Sequence, residues 1–384
     1  MEIYLDNAAT SHKKPKEVIE KVMEYLKETS CNPGRSAYPL AVKAGRLLFD
    51  IREKLASFFG VDEPTRLVFT RNATEAINLF LRGFLSPGSK VLTTSMEHNA
   101  VMRTLSALSE ERNVRFEKIW GDGRGVLEPA QFREALRKEK YDLVVVNHMS
   151  NVSGTLAPLE EICSLCADMG VPVLVDVAQS AGTVLVKMPS EGDVAFAFTG
   201  HKSLMAIQGV GGLIFNNDSL GKRVKPLITG GTGSLSSKEV QPDFLPDKLE
   251  SGTLPMPAIV ALGAAIDFIN STGLGKMENH KRRLTRSLIK GLSEIEKVTL
   301  YGTKDERQVG VVSFTLKGMT TSEAGDKLSS AGVYCRVGLH CAPSAHRTLG
   351  TYPDGTIRFS VGYFNTEEDV RLAVDEVRKI AEKR

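Results

Sequence analysis

Five cysteines in 384 residues are too few, and odd in number, for a disulfide framework; they point to a reducing cytoplasm. Long apolar runs are missing too, and none reaches the length that spans a bilayer. Neither sign of charge is in great excess. The net charge is +3, and no basic cluster carries interleaved aromatics, so nucleic acid is not expected as a partner. Met1-Glu-Ile-Tyr-Leu-Asp-Asn7 has the character of neither a signal nor a transit peptide. No internal repeat or low-complexity tract occurs. Cys163 and Cys166 form a CxxC, but no second ligand pair follows at zinc spacing, so no metal site is expected. They fall within the amphipathic stretch Leu159–Met169 and are expected on a helix-packing face.

What is present is an ordinary globular composition, 42% apolar and 25% charged, in a chain long enough for two domains. Helical periodicity marks Pro15–Ser30 and Ser36–Phe59. Strand-like runs follow at Arg66–Thr70, Lys90–Thr94, Val114–Ile119, Asp142–Asn147, Val171–Asp176, Val194–Phe198 and Gly212–Phe215. Helical segments separate most of them: Ala73–Leu85, Asn99–Arg112, Pro129–Lys138 and Leu159–Met169. Strands that are apolar throughout, alternating with helices, predict a mostly parallel sheet covered on both faces. Thr229–Pro257, rich in Gly, Ser and Pro, reads as a long functional loop. Two helices, Ala258–Ser271 and Lys276–Lys297, come next. Strands at Gly310–Thr315, Val333–Arg336 and Thr356–Val361 and a helix Glu367–Lys383 then predict a smaller α+β unit. The expected division is a large domain 15–257 and a small domain 258–384, with residues 1–14 packing on the latter.

Two apolar strands end on charge. Val171-Pro-Val-Leu-Val-Asp176 ends on an acid, and Val194-Ala-Phe-Ala-Phe-Thr-Gly-His-Lys202 runs into a lysine. Charge at the end of a buried strand is costly unless a site uses it. Ligands of open α/β sheets bind at that edge. A lysine able to form a Schiff base and an acid for a pyridinium nitrogen are the minimum equipment for pyridoxal phosphate chemistry. A structural Asp176–Lys202 ion pair beside a turn is the other reading of the same residues.

Further candidates lie at neighbouring strand ends. Thr70-Arg-Asn-Ala-Thr-Glu75 follows a strand and opens a helix, whose free amides and dipole suit a phosphate at Ala73 and Thr74. The segment lacks a Walker lysine and a GxGxxG, which disfavours a nucleotide. His98 could stack on a flat heteroaromatic ring or move protons, or be only a polar cap. Asn151 and Gln179 could reach a ring hydroxyl. Arg358, in mid-strand, suits a substrate carboxylate. Cys341, in the irregular Arg336-Val-Gly-Leu-His-Cys-Ala-Pro343, reads as an exposed thiol whose pKa a cationic His340 could lower. Cys31 and Cys335 are weaker candidates.

Together these pieces resemble the class V aminotransferase family, and within it the cysteine desulfurase and selenocysteine lyase group. The resemblance runs almost end to end. It is carried by Tyr4-Leu-Asp-Asn-Ala-Ala-Thr10, Phe69-Thr-Arg-Asn-Ala-Thr-Glu-Ala-Ile-Asn78, Glu97-His98, Ser150-Asn-Val-Ser-Gly-Thr155, Val175-Asp-Val-Ala-Gln179, Thr199-Gly-His-Lys202, Glu250-Ser-Gly-Thr253 and Ile357-Arg358 through Tyr363-Phe-Asn-Thr366. It implies the α/β, aspartate-aminotransferase-like architecture of the pyridoxal phosphate fold type I. It implies Lys202 as the covalent anchor of pyridoxal 5'-phosphate and His98 as the ring-stacking residue. Asp176 would pair with the ring nitrogen, and Gln179, helped by Asn151, with the ring hydroxyl. Thr74, Thr199 and His201 would hold the phosphate, joined by Thr253 of a partner subunit in a homodimer. Arg358 would clamp the carboxylate of the substrate, L-cysteine, with Asn151 beside it. Cys341 resembles the sulfur-accepting cysteine of the group with an arginine–glycine–histidine–cysteine signature.

The family's usual residues are replaced at a few points. Thr199 stands where a serine is common, Leu339 where a histidine is frequent, and Leu254-Pro-Met256 where a proline–asparagine pair is usual. Asn32-Pro-Gly-Arg35 lacks a histidine before its arginine, and Arg35 is a further site candidate. The activity implied is desulfuration of L-cysteine to L-alanine, with Lys202 as the base at Cα. Sulfur would pass to Cys341 as a persulfide and on to an acceptor protein, in sulfur metabolism such as iron–sulfur cluster assembly. The alternative is a selenocysteine lyase or another class V aminotransferase in which Cys341 is a bystander.

Overall fold

The computed structural model describes residues 2–33 and 36–382; Arg35 lies outside the described residues. The chain opens with β1 (Ile3–Tyr4), α1 (Lys16–Glu28) and α2 (Pro39–Phe59). Alternation then sets in: β2 (Leu67–Thr70), α3 (Ala73–Phe84), β3 (Lys90–Thr94), α4 (Asn99–Arg112), β4 (Arg115–Ile119), α5 (Pro129–Lys138), β5 (Leu143–Asn147), α6 (Leu159–Asp168) and β6 (Val173–Asp176). Next come β7 (Val194–Thr199), β8 (Gly211–Phe215) and α7 (Asp218–Arg223). The remainder is α8 (Met256–Thr272), α9 (Leu274–Ser293), β9 (Val298–Tyr301), β10 (Val311–Leu316), α10 (Thr321–Ser330), β11 (Val333–Tyr334), β12 (Arg336–Gly338), α11 (Pro343–Thr348), β13 (Thr356–Ser360) and α12 (Glu367–Glu382).

Seven strands form the large sheet, in the order β2-β8-β7-β6-β5-β3-β4. From β7 to β4 every pairing is parallel; β8 runs antiparallel to both its neighbours. Every residue of β5, β6, β7 and β8 is buried, as continuous apolar runs require when helices cover both faces. One apolar cluster joins the sheet to α1, α2, α6 and α8, and a second joins its other face to α3 and α4. Cys163 and Cys166 lie in the first cluster, on the packing face expected of them, and burial pushes both thiols up to about 12.

The smaller body is a four-stranded antiparallel sheet, β12-β13-β10-β9, under α9, α10 and α12. β1 pairs with β11, and Ile3 and Leu5 are buried in this body's core. Further along, Ala8 joins the large-sheet core and Thr10, Ser11 and Lys14 all donate to the His201 carbonyl, so the expected packing of residues 1–14 on the small body describes only the first of them. α8 begins beside the expected boundary, but its apolar residues join the large-sheet core. The change of core falls within α9, between Met277 and Leu284.

Between α7 and α8 the chain has no helix or strand, so the Gly/Ser/Pro-rich segment is the long loop its composition predicts. A buried ion pair fixes its far end. Glu250 accepts from both Arg52 guanidinium tips at 2.7 and 2.9 Å and from the Phe69 amide at 2.6 Å. That carboxylate ties the loop to α2 and to the strand that leads into α3. Removing either partner strands a buried charge, which typically costs about 3–5 kcal/mol.

Candidate active site

Parallel register brings the carboxyl ends of β5, β6 and β7 side by side. Asn147 is the partner of Asp176, and Asp176 of Ala197. The pocket at this edge is lined by Ala73, Thr74, His98, Asn151, Asp176, Gln179, Thr199, His201 and Lys202. Residues that lie up to 129 positions apart in sequence are thus gathered at one sheet edge, where open α/β sheets bind ligands.

One end of the pocket is built for an anion. α3 starts at Ala73 with Asn72 as its cap, whose side chain accepts only the Glu75 amide. The Ala73 and Thr74 amides have no acceptor among the described residues and face this end of the pocket. Gly211 lets the cap approach: a Cβ there would lie 2.8 Å from the Asn72 backbone. Opposite, the Thr199 hydroxyl and His201 Nδ1 are buried without partners among the described residues. The His201 carbonyl is held by the Ser11 amide at 3.0 Å and the Thr10 hydroxyl at 3.1 Å, so the amino-terminal segment fixes this turn. Burial and the Lys202 charge bring the His201 imidazole down to about 4.

The other end carries Asp176 and Lys202. Burial pushes the Asp176 carboxyl up, against the pull of the Ala178 amide that donates to it at 2.9 Å and of the Lys202 charge. Burial likewise brings Lys202 down to about 8, with Asp176 opposing. No ion pair joins the two among the described residues, so the structural reading of this pair does not hold. His98 caps α4, its Nδ1 accepting the Ala100 amide at 3.0 Å. Burial first, then the Lys202 charge, lowers it to about 4. The ring is therefore neutral near pH 7, with its proton on Nε2.

Two amides are already committed. Asn151 Nδ2 donates to the His340 carbonyl at 2.7 Å, and Gln179 Nε2 to the Ala8 carbonyl at 2.9 Å. Each therefore has its side-chain oxygen left for a ligand, and Asn151 Oδ1 is buried without a partner. Arg358 is buried, not a solvent-facing strand arginine. Its Nη2 donates to Asp6 at 2.7 Å and its Nη1 to the Asn151 carbonyl at 3.0 Å, while Nε has no partner among the described residues.

Cys341 is exposed. The loop that carries it is anchored. Asn151 holds the His340 carbonyl, the Asn99 amide donates to the Cys341 carbonyl at 2.8 Å, and His340 Nε2 bonds the Thr356 hydroxyl at 3.0 Å. His340 and Cys341 both adopt left-handed backbone, at φ 48° and 58°. The expected cationic His340 is corrected by its surroundings. It is buried beside Arg358, and desolvation drives it down to about 2, so it is a neutral anchor of the loop. Cys335 is half-buried, and desolvation raises its thiol to about 12, whereas Cys31 lies beyond the end of α1, its carbonyl accepting from Tyr25.

Thr253 is exposed in the long loop and is not among the residues lining the pocket. Sequence reasoning also passed over Glu97 as a group in its own right. It is wholly buried; Oε1 accepts from Thr94 and from the Asn147 amide, and Oε2 has no partner among the described residues. An acid directly after an apolar strand, at Thr94-Ser-Met-Glu97, was the available signal.

Three comparisons bear on this geometry. The model of the family described as aminotransferase class V matches residues 3–372. A probable cysteine desulfurase of Methanothermobacter thermautotrophicus is 35% identical, over 99% of this chain and 94% of its own length. A cysteine desulfurase of Haloferax volcanii is 31% identical, over 98% of this chain and 88% of its own. The apo structure of a cysteine desulfurase from Thermococcus onnurineus superposes with a TM-score of 0.91 at 30% identity, covering 100% of this chain and 95% of the other. The aspartate-aminotransferase-like fold type I expected from the sequence is the fold found.

Proposed function

The chain belongs to the class V aminotransferase family, and we infer from that membership and from its site that it is a pyridoxal phosphate-dependent cysteine desulfurase. The observation that carries the reading is a single one. Exposed Cys341 sits on a loop whose neighbouring His340 carbonyl is held by Asn151, a residue that lines the pocket holding Lys202 and Asp176.

The pocket fits the cofactor. Thr199 Oγ1, His201 Nδ1 and the α3 amides at Ala73 and Thr74 form a donor set for a phosphate, and the Thr74 hydroxyl joins them. Asp176 would hold a ring nitrogen in its protonated form, and the Gln179 and Asn151 side-chain oxygens would face the ring hydroxyl. Neutral His98 would stack on the ring face. Lys202, with an amine that desolvation makes unusually easy to deprotonate, would bind the cofactor covalently. When bound, pyridoxal phosphate supplies an electron sink for the electron pair left at the substrate Cα.

The chain's own residues do the rest. Arg358 Nε takes the substrate carboxylate. Lys202 removes the proton at Cα and returns one. The Cys341 thiolate attacks the substrate sulfur: an S–S bond forms, the Cβ–S bond breaks, and Cβ is protonated. L-cysteine and the Cys341 thiol become L-alanine and a Cys341 persulfide. Thr253, exposed on the long loop, would complete the phosphate site of a partner subunit in a C2 homodimer. The persulfide sulfur passes to an acceptor protein, and iron–sulfur cluster assembly is a use consistent with that chemistry. All five cysteines are free among the described residues, which supports a place in the cytoplasm. No single described helix is long and apolar enough to cross a membrane.

The test is product analysis. With L-cysteine and a reducing thiol, the holoenzyme should release alanine and sulfide in equal amounts. Amino transfer to a keto acid without sulfide, or turnover of selenocysteine alone, would favour the aminotransferase or lyase reading.

A further inference from the structure

Arg336 and Arg358 face each other across the β12–β13 pair as direct antiparallel partners. Side chains at such positions share one face, and like charges there destabilise the sheet. Arg358 is compensated by Asp6. Arg336 is exposed and has no ion pair or hydrogen-bond acceptor among the described residues. The register therefore sets it beside the arginine proposed to take the substrate carboxylate. It also opens the strand that leads into the Cys341 loop.

Arg358 cannot grip a carboxylate with a full fork. Both of its terminal nitrogens are engaged, by Asp6 and by the Asn151 carbonyl, and only the buried Nε is left. A two-point hold on a carboxylate needs a second donor. We propose that Arg336 supplies it: Arg336 and Arg358 Nε together bind the substrate α-carboxylate, making Arg336 a residue that selects α-amino acids over simple amines. The bound anion also relieves the repulsion between the two arginines, so the grip and the fold favour the same arrangement. This rests on the amino-acid-binding part of the proposed function and not on the fate of the sulfur.

The holoenzymes of the parent, Arg336→Gln and Arg336→Lys are titrated with L-alanine and with ethylamine, followed by the visible absorption of the cofactor. Turnover of L-cysteine is measured in parallel. Loss of charge-assisted hydrogen bonds should weaken L-alanine binding and raise the KM for L-cysteine by about ten- to a hundredfold in Arg336→Gln. kcat should change little, Lys should restore part of the loss, and ethylamine should bind all three proteins alike. The variant folds, because it removes a like charge, and its thermal midpoint should not fall. Unchanged L-alanine binding, or an equal loss for ethylamine, overturns the proposal. A parent enzyme that binds L-alanine with this Arg336 dependence but makes no alanine from cysteine would refute the desulfurase reading and leave Arg336 in its role.

Discussion

Asp176 and Lys202 occupy one buried pocket without forming an ion pair. The strands that lead into them are direct parallel neighbours, yet each acts on the other only through space. A structural pair would close the gap. An open one leaves room for a group that takes the acid on one side and the amine on the other.

Lys202 should therefore be the site of covalent attachment. Borohydride treatment of the holoenzyme should fix the cofactor on the peptide containing Lys202 and on no other. Desolvation brings this amine down to about 8, so its neutral form is abundant well below the range of an ordinary lysine. Cofactor uptake by the apo protein should then speed up through pH 7–8 and level off above about pH 9. Uptake that kept rising to the pH of an ordinary lysine would contradict the assignment.

Much of this was legible from residue order. Continuous apolar runs announced β5, β6 and β7, because strands covered on both faces have no polar side to display. The charged ends of two of them marked the site edge. What escaped was set by contacts distant in sequence. The neutrality of His340 depends on burial against Arg358, and the commitment of the Gln179 amide depends on Ala8. Neither has any local signature. Others had one that went unused. Thr320 and Glu323 form a capping box at the start of α10, a threonine–x–x–glutamate pattern readable before any coordinates. β9 was harder, a short strand with partly exposed residues and no strong alternation.

Asp176→Asn should separate binding from chemistry. The phosphate cradle and Lys202 are untouched, so the protein should stay coloured. Loss of the negative charge opposite the ring nitrogen should slow proton loss at Cα by on the order of a hundredfold or more. Deuterium exchange at Cα of bound alanine reads that step directly. Exchange at the parent rate would remove Asp176 from the role.

Glu97 gives a pH-dependent signature of its own. Burial pushes its carboxyl up to about 8, while an unfolded glutamate titrates near about 4.3. Between those values the folded chain holds a proton that the unfolded chain has released. The sign is thus that stability falls as pH rises through this window, with the full cost reached above about pH 8. Glu97→Gln keeps the Oε1 acceptor for Thr94 and the Asn147 amide and cannot ionise. Apo Glu97→Gln should unfold at the parent temperature at pH 5 and at a higher temperature at pH 9. Parallel curves across that range would mean that Glu97 is ionised in the folded protein.

Cys341 should carry the transferable sulfur, alone among the five cysteines. Burial raises the Cys163, Cys166 and Cys335 thiols, whereas Cys341 is the one exposed cysteine of the five. The Cys341 loop is pinned at Asn99, Asn151 and Thr356, and Asn151 also lines the pocket that holds Lys202. Cys341→Ala should retain the cofactor, its colour and the spectral response to L-alanine, because none of these uses the thiol. Release of sulfide from L-cysteine should fall by at least about a hundredfold, the scale expected when the nucleophile of a covalent step is removed. Mass spectrometry after one turnover of the parent enzyme should find the added sulfur on the peptide containing Cys341. A Cys341→Ala protein that still made alanine from cysteine at the parent rate would show that the Cβ–S bond breaks without this thiol, and the lyase reading would take its place.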